Sequence, residues 1–156
     1  MIRFALGSLL ALTLHSPVAA QSSPVSPALD HTESFERAFA TSAYTYDACG
    51  DALAGRNFRR ALFERFAQCP FTPAARSRFQ QNTDGQLEKS RKMVANMVEI
   101  HGGLPMRLEG MSMTCHEQQA SDSYRQFRDR LEQYSQGVLT AEAIIPAPCD
   151  APDIVP

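Results

Sequence analysis

The sequence predicts an all-α domain: an antiparallel four-helix bundle stapled by disulfides, with a disordered leader before it and an extended, Pro-rich tail after it. Three observations carry this expectation. Apolar residues recur at helical spacing in four stretches, no stretch alternates apolar and polar residues over a useful strand length, and the cysteines are even in number.

The leader sets the compartment. The chain opens MIRFALGSLLALTLHSPVAA, with one basic residue, Arg3, an apolar run from Phe4 to Leu14, and the small-residue site Val18-Ala19-Ala20. An apolar run this short does not span a bilayer, and it ends at a processing-type site, so residues 1–20 read as a secretory signal peptide. The destination is periplasmic or secreted, without a membrane span. Residues 21–29, QSSPVSPAL, form a Pro- and Ser-rich leader, and residues 30–156 form a single helical domain.

The first helix is expected to start at Asp30, because Glu33 stands three residues on in capping-box register. Phe35, Phe39, Ala43 and Tyr46 give it an apolar face, and Gly50 ends it. The second runs from about Asp51 to Gln68 with Leu53, Phe58, Leu62 and Phe66 inward, and Pro70 stops it. Thr72 and Pro73 open the third as N-cap and first helical residue. Phe79, Leu87, Val94, Met97, Val98 and His101 hold one face as far as Gly102-Gly103. Asn82-Thr83-Asp84-Gly85 is a turn signal inside that pattern, and the favoured reading is a continuous or kinked helix rather than two.

In the last helix Ala120, Tyr124, Phe127, Leu131, Tyr134 and Val138 repeat at alternating spacings of four and three, which places them on one stripe. Arg125 with Asp129 and Arg128 with Glu132 are expected as ion pairs on its solvated side. The tail IIPAPCDAPDIVP follows.

An alternating bundle fixes the disulfides. Cys49 ends the first helix and Cys115 begins the fourth at one end of the bundle, whereas Cys69 and Cys149 meet at the other. Cys115 and Cys149 are a helix length apart, far beyond the roughly 4.4–6.8 Å that a disulfide permits. The expected pairs are therefore Cys49–Cys115 and Cys69–Cys149. The absence of any CxxC spacing argues against a thioredoxin-type redox motif and against covalent haem.

Composition narrows the function. There are 15 basic against 17 acidic residues and no basic block, which does not suit nucleic-acid binding. Arg56, Arg59, Arg60 and Arg65 form a basic patch on the second helix, read as a solvated face. Every methionine after Met1 lies between Met93 and Met113, and His101 and His116 flank the crossover. Thioethers and imidazoles suit Cu(I), so Met106, Met111, Met113, His101 and His116 are the candidate metal ligands. The competing reading, preferred here, makes these methionines packing filler at the end of a bundle. No catalytic constellation is assigned. The expectation is a non-enzymatic, exported binding or interaction protein, such as an envelope adaptor, inhibitor or chaperone-like factor, acting on another envelope or secreted protein. A Cu(I)-handling protein using the 93–116 region is the alternative, and no other cofactor is expected.

Overall fold

The computed structural model describes residues 28–101 and 115–154, except the side chains at 44, 94, 97, 98 and 101. The signal peptide, most of the leader and the crossover 102–114 lie outside the described residues. The chain is all-α. Its elements are α1 (Glu33–Ser42), continued by a π turn (Ala43–Asp47), α2 (Ala52–Gln68), α3 (Pro73–His101), α4 (Cys115–Ala120), α5 (Asp122–Ser135) and α6 (Ala141–Ile144). Among the described residues the only β pairing is a single bridge between Leu29 and Phe71.

The start of α1 differs from the sequence expectation. Thr32 is the N-cap residue, its hydroxyl donating to Glu36 Oε1 at 2.6 Å. Asp30 is drawn away because its carboxylate accepts a hydrogen bond from the Thr72 hydroxyl, which ties the leader to the start of α3. The first helix ends in i→i+5 bonds, Ala48 N–H to Ala43 O at 3.0 Å and Asp51 N–H to Tyr46 O at 2.8 Å. Gly50, at φ +79°, then reverses the chain into α2. Asp51 caps α2 by accepting from the Ala54 N–H at 3.2 Å.

Cross-helix contacts give the directions. Asp30 and Glu36 meet Arg78 and Asn82 in turn, so α1 and α3 run parallel. Along α2, Asp51 meets Tyr124, Asn57 meets Leu131 and Arg65 meets Ile145, so α2 and α5 also run parallel. Consecutive helices therefore alternate, as the bundle requires. The core is aromatic near the lower end, where α2 ends and α3 begins: Phe66 stacks on Phe71 and Phe79 at 4.4 and 4.0 Å, and Phe35 meets Phe66, Phe71 and Phe79 edge-on.

Helix α3 is continuous through Asn82-Thr83-Asp84-Gly85. The side chains that would have made a turn are otherwise engaged: the Thr83 hydroxyl donates back to Phe79 O at 2.9 Å, and Asn82 Nδ2 donates to Glu36 on α1. The last helix, in contrast, is broken at Ser121, whose hydroxyl accepts from the Tyr124 N–H as N-cap of α5. Ala120 falls outside the core in consequence. At the other end Gly137 (φ +77°) closes α5 with two bonds, Gly137 N–H to Tyr134 O and Val138 N–H to Gln133 O. That C-terminal motif swings Val138 off the stripe, leaving it 67% exposed. Leu53 likewise stands 55% exposed, and Ala54 and Ala61 complete the buried face of α2 instead.

The expected ion pairs on α5 form with other partners. Arg125 pairs with Asp122, and Arg128 reaches across to Asp51 at 3.0 Å. The arginines of α2 are mostly not free surface charge either. Arg59 grips Asp47 with two bonds, Arg60 pairs with Glu64, and Arg65 donates to the carbonyls of Ile145 and Ala147.

After α5 the chain makes the short α6 and then the Pro-rich segment, which is packed rather than loose. Ile144, Ile145 and Ile154 are buried in the core. The disulfides join Cys49 to Cys115 and Cys69 to Cys149, with Cα atoms 5.2 and 5.6 Å apart. One staples the π turn to α4, and the other fixes the tail to the end of α2.

Candidate functional site

The helices leave one wall of the bundle open. Since α1 is antiparallel to α2 and α2 is parallel to α5, α1 and α5 run in opposite directions. Among the described residues a cleft of about 480 Å³ lies between them, with the π turn forming part of its α1 side. That volume lies in the range of small-ligand sites. Its floor is apolar and aromatic, built from Ala38, Tyr46, Phe58, Tyr124 and Phe127. The rings form a chain of contacts, with Tyr46 5.9 Å from both Phe58 and Tyr124, and Phe58 6.1 Å from Phe127. The rim is polar and neutral: Thr41 and Thr45 on one side, Gln118, Ser121, Ser123 and Gln126 on the other.

The upper end of the cleft is held rigid. Tyr124 donates its hydroxyl to Asp51 Oδ2 at 2.9 Å, the same oxygen that Arg128 contacts at 3.0 Å. Asp51 thus caps α2, orients Tyr124 and anchors α5 with one carboxylate. The π turn is pinned over α2 by the Asp47–Arg59 pair and by the absence of a side chain at Gly55. A Cβ there would fall 2.5 Å from Asp47 Oδ1 and 3.1 Å from Tyr46 Cβ. Burial is the main reason that the Tyr46 and Tyr124 phenols titrate above their ordinary range; the Asp51 carboxylate adds to the effect on both.

At the lower end stands Arg130. Its guanidinium lies over the Phe127 ring, 5.8 Å from the centroid, and donates to the Ala143 carbonyl. Among the described residues no carboxylate pairs with it.

The metal candidates gather less definitely. Met106, Met111 and Met113 lie outside the described residues, as does the His101 side chain. His116 is exposed on α4, one residue beyond the Cys49–Cys115 bond. Oxidation removes Cys115 as a thiolate ligand, and among the described residues no three His, Cys, Asp or Glu side chains cluster in a metal-binding arrangement. No helix among the described residues is long and apolar enough to cross a membrane.

Tyr124 and Phe127 were legible as members of an apolar stripe, and Tyr46 as a core residue. Their role as a cleft floor was not, because it depends on the separation of two helices distant in sequence. Arg130 carried no signal at all. No family model, curated protein or solved structure matches the chain.

Proposed function

We propose that this is an exported, non-enzymatic binding protein that seats part of a periplasmic or secreted partner in the cleft between α1 and α5. The observation that carries the reading is the cleft's construction: a continuous aromatic floor under a rim of neutral hydrogen-bonding groups, the composition of a recognition site. The lining supplies hydroxyls, amides and one guanidinium, which suit orientation of a bound group. Two disulfides favour an oxidising compartment, in line with the signal-like residues 1–20.

Affinity recovery from the export compartment tests it, using the mature oxidised protein and a Ser123→Arg variant whose longer side chain fills the cleft. A species retained by the wild type and lost by the variant supports the reading. Equal retention by both would place the working surface elsewhere.

A further inference from the structure

Arg130 and Tyr46 both line the cleft and stand toward opposite ends of it, and Arg130 has unused bonding capacity. The Arg130 guanidinium has five N–H donors, of which one is engaged with Ala143. Its position is fixed by that carbonyl and by the Phe127 ring, so it offers a preorganised cation without a neutralising partner among the described residues. Tyr46 lines the same cleft and is only 6% exposed, with its ring packed against Phe58 and Tyr124. Its phenol hydroxyl can both donate and accept a hydrogen bond, so it suits a polar group seated beside it.

The spacing between these ends follows from helix geometry. Tyr46 packs against Tyr124, six residues before Arg130 on α5, and six residues at 1.5 Å each amount to about 9 Å. The rest of the lining is Ala38, aromatic rings and neutral polar side chains. We infer that the cleft binds an amphipathic organic acid: a carboxylate on Arg130, an apolar or aromatic body over Phe127 and Phe58, and a polar group at the Tyr46 hydroxyl. A C-terminal aromatic residue of a protein partner and a free aromatic carboxylic acid share this chemistry. The inference rests on the cleft being the binding surface and adds the class of ligand it takes.

Fixed positive charge selects the anion because a carboxylate gains charge-assisted hydrogen bonds that an amide of the same shape does not. The discriminating experiment is a titration of the isotope-labelled, oxidised protein followed by NMR at pH 7. Two probe pairs are used: 3-(4-hydroxyphenyl)propionate with its primary amide, and an N-acetylated tetrapeptide ending in Phe with its C-terminal amide. The expected result is saturable shifts confined to the cleft lining, residues 38–46, Phe58 and 118–130, with at least one acid binding roughly tenfold or more tighter than its amide. Arg130→Gln should abolish that preference, and Arg130→Lys should retain most of it. Tyr46→Phe should weaken the hydroxyphenyl probe and leave the Phe peptide unaffected. Preference for the peptide acid alone assigns the ligand to a protein C-terminus, and preference for the small acid alone assigns it to a free metabolite. Equal binding of acid and amide, or no binding of either pair, overturns the ligand class. In that event the Ser123→Arg recovery experiment still decides whether the cleft binds anything.

Discussion

Substitution of Gly55 by Ala offers a sharp test of how the π turn is held, because two effects of opposite sign meet there. In a helix interior Ala is better than Gly by about 1 kcal/mol, so an unobstructed site would be stabilised. Here the new Cβ would lie 2.5 Å from Asp47 Oδ1 and 3.2 Å from Arg59 Nη1. Asp47 cannot simply swing aside, since it is held by Arg59 at 2.8 and 3.2 Å and both side chains are largely covered, 22% and 13% exposed. Overpacking of this kind costs roughly 1–3 kcal/mol, and weakening the charged hydrogen bonds adds about 1 kcal/mol at such partial burial. The expected net result is a loss of about 1–3 kcal/mol. In an Asp47→Ala background the nearest obstruction is gone while Tyr46 Cβ still stands 3.1 Å away, so the same substitution should cost at least about 1 kcal/mol less than in the wild type. Urea denaturation of the four proteins, with unchanged m-values, measures the coupling. Stabilisation by Gly55→Ala in both backgrounds would refute the close approach of the π turn to α2.

Other expectations follow from the same contacts. Cys69→Ser and Cys149→Ser should each lower stability by up to about 4 kcal/mol, because the bond closes a long loop, and the double variant should be no worse than the weaker single one; additive losses would show separate partners. Ile144→Ala should cost about 2–5 kcal/mol in thermal or urea unfolding, since the side chain is fully buried, whereas a value near zero would mean that the tail is not part of the core. Burial raises the Tyr46, Tyr124 and Tyr134 phenols above 10, so the folded state holds their protons more tightly than the unfolded chain does. Their contribution is complete below about pH 10 and is lost as pH rises beyond it, so alkaline unfolding and tyrosinate absorbance should develop together. Replacement of Met111 and Met113 by Leu should leave the protein folded, because such swaps usually cost under about 1.5 kcal/mol. Tight, stoichiometric Cu(I) binding by the wild type that collapses in this variant would favour the copper-handling alternative instead.

What the sequence made legible was periodicity and topology. Phe35, Phe39, Phe58, Leu62, Phe66 and Leu131 recur at helical spacing and are buried, and the alternation of helices is enough to bring Cys49 to Cys115 and Cys69 to Cys149. What escaped was decided by partners far away in the chain. Asp30 has capping chemistry, but Thr72 competes for its carboxylate. Asn82-Thr83-Asp84-Gly85 has the composition of a turn yet lies within a continuous α3, the reading favoured from sequence, and Glu36 and the preceding helical carbonyls engage the side chains of Asn82 and Thr83. Arg128 has a carboxylate one turn away, and Asp51 on another helix takes it. Val138 fits the stripe but falls after Gly137, where backbone bonding rather than side-chain pattern sets the direction. The cleft belongs to this second group, as its walls come from residues 38–46 and 118–130, and part of one wall is a π turn that has no evident sequence signature.

Amide hydrogen exchange gives the most direct measure of whether the cleft is the binding surface. The oxidised protein would be followed alone and with the species retained in the recovery experiment. Exchange should slow along residues 38–46 and 118–130, the two walls, while the C-terminal half of α3 should be unchanged. Protection confined to residues 88–101, with both cleft walls unaffected, would contradict the proposal and move the binding surface to α3.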